Sequence, residues 1–427
     1  ENEEIFRYTC LYRNLEIAQW LLQIKPTIDI SAENEEVFRD ACSSGDLPMA
    51  QWLYQIKPTI DIYAENNDAF RGACYHGHLS VAQWLYQIQP DIVNNEIAFQ
   101  YACSCGHLPV AQWLLSIKPD INIHASETFQ LTCMDGHLEV AQWLLKNSPI
   151  INISLDNENA FRYACSGGHL PVAQWLLSVK PDINISAEDE CAFQWACQNG
   201  HLPVAKWLLS VKPDINNSAE NEEAFREACW KGHLSIAQWL LSVKPDINIS
   251  IYKEETFRNA CTNGHLSVAQ WLLSVKPDID ISAENEQAFR MSCYNGYLQI
   301  AQWLLKIKPT IDISIYNEET FRIACHNGHL SIAQWLLSIK PNINISAENE
   351  HAFREACSNG HLEIARWFTV LSPRYIITNP NPNSKSIKYQ IIKKKIISAT
   401  ILFFLQKQLK NQLFKQWYLI YNSTTFL

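Results

Sequence analysis

The chain has 427 residues, 47% of them apolar and 18% charged, with a formal net charge of −10. This is the composition of folded protein, and the length exceeds what one compact domain needs. The acidic balance argues against nucleic acid as a partner, and no apolar run reaches the roughly 18 residues of a membrane helix.

The chain opens without Met or signal peptide at Glu1-Asn2-Glu3-Glu4, a string that recurs inside later copies of one motif. Further repeats, or a different domain, are therefore expected before Glu1. The first copy carries Phe6, Cys10 and Trp20. Trp returns at Trp52, Trp84, Trp113 and Trp143, and then every 32 residues from Trp175 to Trp367. The steps on either side of Trp113 are 29 and 30. Cys keeps the same phase from Cys10 to Cys357. About twelve phased copies of a unit this long predict a stacked helical solenoid.

Residues 221–250 show the unit. Phe225, Ala228 and Cys229 fall on one face of a short helix, with Asn221 placed to cap it and Glu222 and Glu223 suited to its positive end. Gly232 supplies the stop. A second helix starts near Leu234, because the next position is Pro in four copies (Pro48, Pro109, Pro171, Pro203), and only a first helical turn tolerates Pro well. Leu234, Ala237 and Leu241 line one face of it, Ile236 and Leu240 lie beside them, and Trp239 sits between. Pro245 ends the helix, and Asp246-Ile247-Asn248-Ile249 alternates as an extended finger would.

The string Gly-His-Leu-Ser-Ile-Ala-Gln-Trp-Leu-Leu-Ser-Val-Lys-Pro-Asp-Ile-Asn resembles the second half of an ankyrin repeat, and Glu-Ala-Phe-Arg-Glu-Ala-Cys stands where that family has Thr-Pro-Leu-His-Leu-Ala-Ala. The resemblance runs from residue 1 to about 370. The variant with Phe-Arg-x-Ala-Cys and a Trp in the second helix looks like arrays of giant amoeba-infecting DNA viruses. It implies an all-α solenoid of about twelve helix-turn-helix units with short finger loops. The function it implies is a non-enzymatic protein-binding scaffold, acting on host proteins in the host cytoplasm rather than secreted. A substrate-recruiting adaptor of a ubiquitin ligase, its F-box upstream, is the alternative. The sequence departs from the family at Thr-Pro-Leu-His and at the glycine after helix two, which puts the finger geometry in question.

The recurrent Cys are read as buried free thiols: each stands where the family has Ala, and no CxxC occurs. Such thiols suit a reducing compartment. The Gly-His copies, from His78 to His361, are read as imidazoles bonded across a helix turn, since Asp46 and Tyr297 replace two of them in regular units. Arg226 and its counterparts are expected to pair with Glu three or four residues earlier, and the Trp to pack in the core. No catalytic constellation, metal-ligand set or cofactor motif is present in the sequence.

Binding is expected at positions the frame leaves free, namely the residue after Phe-Arg/Gln and the one three later. In the family these positions, with the finger tips, line the concave groove. Tyr163, Trp195, Trp230, Met291 and Tyr294 are the candidate partner-binding residues there.

The array is taken as 1–372, with the last copy off frame at Arg366 and Phe368-Thr369, as a terminal cap would be. Residues 373–384, with Asn379-Pro380-Asn381-Pro382, read as a linker. Residues 374–427 hold nine Lys/Arg and no Asp or Glu, so the remaining 25 basic residues face all 44 acidic ones in the body. In the tail 385–427, Leu405, Leu409, Leu413 and Trp417 recur every four residues among lysines. A membrane-bound amphipathic helix, a disordered tail and a frameshift product all remain open.

Overall fold

The computed structural model describes residues 2–94, 96–123, 126–217, 220–379 and 387–391. Among these are 24 α-helices in twelve pairs and two short strands near the end. The chain divides into two compact units, 1–228 with 233–247 and 229–232 with 248–427. No helix among the described residues is long and apolar enough to cross a membrane.

One pair in the first unit shows how the sequence makes the hairpin. Pro171 sits in the first turn of Leu170–Val179, where its missing N–H costs no hydrogen bond. Val172, Ala173 and Leu176 are spaced to share one face, and all three are buried. The helix closes with Lys180 N–H donating to the Leu176 carbonyl, 2.9 Å, just before Pro181. Phe161, Ala164 and Cys165 of the preceding helix, Leu155–Ser166, lose all exposure against it. Full burial of side chains the size of Leu or Phe contributes about 1.5–3 kcal/mol each.

The repeats lock to one another through Trp. In the first unit the Trp of each copy meets the Phe of the copy before it, with ring centroids 6.1–6.4 Å apart from Phe6–Trp52 through Phe193–Trp239. The second unit repeats this at 6.2 Å for Phe257–Trp303, Phe289–Trp335 and Phe321–Trp367. The indoles are half-buried while the Phe rings are fully buried, so Trp covers the seam between copies.

The start of the first helix differs from expectation. Eight copies among the described residues begin it with three consecutive non-glycine residues at positive φ, for example Asp156, Asn157 and Glu158 at 53°, 57° and 66°. The position expected to hold a capping Asn is therefore the middle of a left-handed turn. Left-handed backbone costs an L-residue about 1–2 kcal/mol, and three groups offset it. The turn closes on Glu158 N–H to the Ser154 carbonyl. Ser154 Oγ donates to Glu158 Oε2 at 2.6 Å. Arg162 then reaches back, Nε to the Asn157 carbonyl at 2.8 Å and Nη2 to the Asp156 carbonyl at 3.0 Å.

The same reach is made by Arg39, Arg258 and Arg322. The expected Arg–Glu pairing within a helix is thus corrected to a clamp on turn carbonyls; a within-helix ion pair is seen for Arg71 with Asp68 at 3.3 Å. The two short copies, whose first helices are Glu96–Ser104 and Ser126–Met134, show no such turn among their described residues. They carry Gln100 and Gln130 in place of Arg, whereas Gln194, in a copy that has the turn, donates Nε2 to the Asp189 carbonyl at 2.7 Å.

After Leu362–Leu371 the chain forms an antiparallel pair, β1 (Tyr375–Asn379) with β2 (Lys388–Ile391). The stretch expected to be a linker therefore begins as a strand. Its reason is packing: Tyr375 is buried, with its ring 4.5 Å from Phe353 and 5.2 Å from Phe368, and its hydroxyl donates to Glu350 Oε2 at 2.6 Å. Tyr389 adds a second ring 5.3 Å from Phe353. The two Tyr cover the Phe that elsewhere receives the Trp of a following copy. The expected amphipathic segment around Leu405–Trp417 lies outside the described residues.

Candidate partner-binding face

Phe161, Ala164 and Cys165 point into the hairpin, so at 100° per residue Tyr163 and Ser166 stand on the opposite side of the same helix. The copy that follows places Trp195 in the same position on Ala187–Gln198. The two rings stack in parallel, with centroids 5.9 Å apart and planes 8° from each other. Arg162, fixed by its turn, brings its guanidinium carbon to 5.5 Å from the Trp195 ring. Tyr163 and Trp195 are each half-buried, while Arg162 is buried.

A second aromatic pair uses both free frame positions in the first unit: Tyr75, 44% exposed, meets Tyr101 edge-on with centroids 5.4 Å apart. Neither residue is among the candidates expected from the sequence, although the repeat frame places both at free positions. Acidic residues also stand at free positions of these first helices, namely Asp40, Asp135 and Glu227. Gln198 Nε2 donates to Glu227 Oε2 at 2.9 Å, and Asp135 is exposed. Burial, and next the neighbouring Glu36, push the Asp40 carboxyl above its usual range.

In the second unit, Trp230 is 38% exposed with the Lys231 ammonium 4.6 Å above its ring. Met291 and Tyr294 share the helix Ala283–Tyr294, where Met291 is half-buried and Tyr294 is exposed. The structure therefore brings Tyr163 and Trp195 together, and places Trp230, Met291 and Tyr294 in the second unit.

The imidazoles are structural in a way not expected. His329 Nε2 lies 2.9 Å from the Tyr294 carbonyl, and His361 Nε2 lies 2.9 Å from that of His326. Each bond crosses to the preceding copy rather than spanning a turn of its own helix. Each ring also fills the space over that copy's glycine. At Gly200, with φ +91°, an added Cβ would lie 2.8 Å from His233 Cε1. Burial lowers the pKa of His78, His137, His201 and His265, which keeps the rings neutral and able to donate one N–H.

Burial pushes the recurrent thiols up, to about 12 for Cys10 and Cys357 and beyond that for the copies between, so they stay protonated. Among the described residues, no group of three or more His, Cys, Asp or Glu is placed to hold a metal ion.

Two family descriptions match the sequence. Ankyrin repeats in three copies match residues 99–189 and 228–317, and ankyrin repeats in many copies match 72–115, 193–241 and 321–369. The chain belongs to the ankyrin repeat family. Ankyrin repeats generally mediate protein–protein interaction, and proteins built from them are typically non-enzymatic scaffolds. Among solved structures, the human ASB11 ankyrin repeat domain is similar at 15% identity and a TM-score of 0.34, over 45% of this chain and 95% of that one. An ankyrin repeat family protein from Legionella pneumophila is similar at 19% identity and a TM-score of 0.34, over 75% and 89%. No curated protein matches the sequence.

Proposed function

We propose that this chain is a non-enzymatic scaffold that holds a partner protein against the first-helix residues of its repeats. The observation that carries the reading is the Tyr163–Trp195 stack. Two large rings occupy positions that the core of Phe, Ala and Cys does not use. Rigid aromatic side chains of this kind dominate interface energetics, because they bring large area at small cost in rotamer entropy. Trp230, Met291 and Tyr294 are assigned the same role in the second unit.

The chain is further proposed to be a viral protein that engages host factors inside the host cell. Support comes from the Phe-Arg-x-Ala-Cys and Gln-Trp signatures, which resemble arrays of giant amoeba-infecting viruses, and from the buried reduced thiols, which suit a reducing compartment. Affinity purification from infected cells with wild-type chain, Trp195→Ala and Trp230→Ala tests the binding reading. The expected result is loss of a captured protein with one or both variants while their circular dichroism is unchanged. The same partners at the same affinity would overturn it.

A further inference from the structure

We propose that the first-helix face of the first unit takes a basic, extended polypeptide segment. Its Lys or Arg side chains lie on the Tyr75–Tyr101 and Tyr163–Trp195 rings and pair with Asp40, Asp135 and Glu227. The proposal rests on the reading of this face as the binding surface, and adds the charge of the partner.

The residue inventory of the face carries it. Across the copies in this unit, the position after Phe-Arg/Gln and those three and four residues later hold Tyr8, Tyr12, Tyr75, Tyr101, Tyr163 and Trp195. The acidic residues among them are Asp40, Asp135 and Glu227, and none is Lys or Arg. Lys231, four residues after Glu227, belongs to the second unit and stands over Trp230.

Several basic residues of the first unit are already engaged within the fold. Arg39, Arg71 and Arg162 donate to turn carbonyls, and Arg13 donates to the Ser44 carbonyl. At the ends of second helices, the Lys180 ammonium pairs with Asp182 at 3.2 Å and that of Lys212 with Glu190 at 3.4 Å.

A ring face attracts a cation through its quadrupole, as the Arg162 guanidinium 5.5 Å from the Trp195 ring shows, and a carboxylate on the same face adds to the attraction. Asp40 is the clearest case. Burial desolvates its negative charge and Glu36 repels it, which together outweigh the attraction of Arg39 and Arg7, so a cation arriving there adds attraction. An acidic segment would meet the same carboxylates as like charges.

Fluorescence anisotropy with the full chain and a labelled peptide of about twelve residues, alternating Lys and Gly, tests this. The same peptide with Gln or Glu in place of Lys serves as comparison. Tyr163→Ala with Trp195→Ala removes rings without changing charge, Asp135→Asn with Glu227→Gln removes face carboxylates, and Glu16→Gln with Glu139→Gln removes as many from second helices.

The expected result is that the Lys peptide binds, the Glu peptide does not, and each face variant weakens binding by about tenfold while the second-helix variant changes it by less than about twofold. Variants are compared only where circular dichroism and melting match wild type. Equal weakening by the face and second-helix charge variants would overturn the proposal, since that is attraction to an acidic chain at large. So would failure of the Lys peptide to bind. If the Gln peptide binds as well as the Lys peptide and loses affinity in the ring variant, the charge assignment fails while the face remains the binding surface.

Discussion

Replacing Arg322 by Ala separates a clamp on backbone from an ordinary surface ion pair. Arg322 Nε donates to the Asn317 carbonyl at 2.9 Å and Nη2 to the Tyr316 carbonyl at 3.0 Å, and those residues are the middle and start of a left-handed turn. Bonds from a charged donor contribute about 1.5–3 kcal/mol each when buried. This side chain is half-exposed, so a loss of about 2 kcal/mol for both together is the reasonable magnitude. An exposed i, i+4 pair with Glu318 would contribute only about 0.3–0.5 kcal/mol. Glu318 is in any case engaged by Ser314 Oγ at 2.5 Å.

Repeat arrays do not unfold in two states, so the assay is local: native-state hydrogen exchange at Glu318 N–H, which bonds the Ser314 carbonyl at 3.2 Å. At about 1.4 kcal/mol per tenfold, exchange there should quicken by roughly thirtyfold. A change of about twofold would refute the clamp and restore the helix ion pair.

Trp207→Ala removes the indole facing Phe161 at 6.1 Å and should cost about 3 kcal/mol, the lower end for Trp because the ring is half-buried. Trp20→Ala, at a residue 57% exposed, should cost much less, and native-state hydrogen exchange within Leu202–Val211 and Leu15–Ile24 checks the contrast. Tyr375→Ala should loosen the last repeat by about 3 kcal/mol through loss of its contacts with Phe353 and Glu350, read as faster exchange within Ala347–Ser358.

Acid should weaken the array. His78, His137, His201 and His265 have folded pKa values below the usual 6.5, so the unfolded chain binds their protons first. Their neutral-ring stability is complete above about pH 6.5 and is lost as pH falls through the folded values. NMR titration that placed these four rings at or above 6.5 would contradict it.

The helix pair was legible because its signals are local: Pro171 fixes a first turn, and Phe161, Ala164 and Cys165 fix one face by spacing alone. What joins one copy to the next was harder to read. The string Asn-Glu before Phe serves equally as a cap or as a left-handed turn, and only the side chain of Arg162, returning five and six residues, favours the second. The acceptor carbonyl of each His bond lies 35 residues away, in the preceding copy, where no local spacing reveals it. The closing hairpin was hidden by Pro and Asn composition, since Tyr375 acquires its role only from an uncovered Phe353. At the face, Tyr163 and Trp195 could be paired from the period, whereas their parallel stack depends on rotamers no spacing encodes.

The assignment of binding to first-helix residues is tested most directly by a photo-reactive phenylalanine at Ser166, beside the Tyr163–Trp195 stack, compared with one at the exposed Gln174 of the second helix. With the partner present, the expected result is a crosslinked product from position 166 and none from 174. Crosslinking from 174 alone would place the partner on the other side of the hairpin and contradict the account.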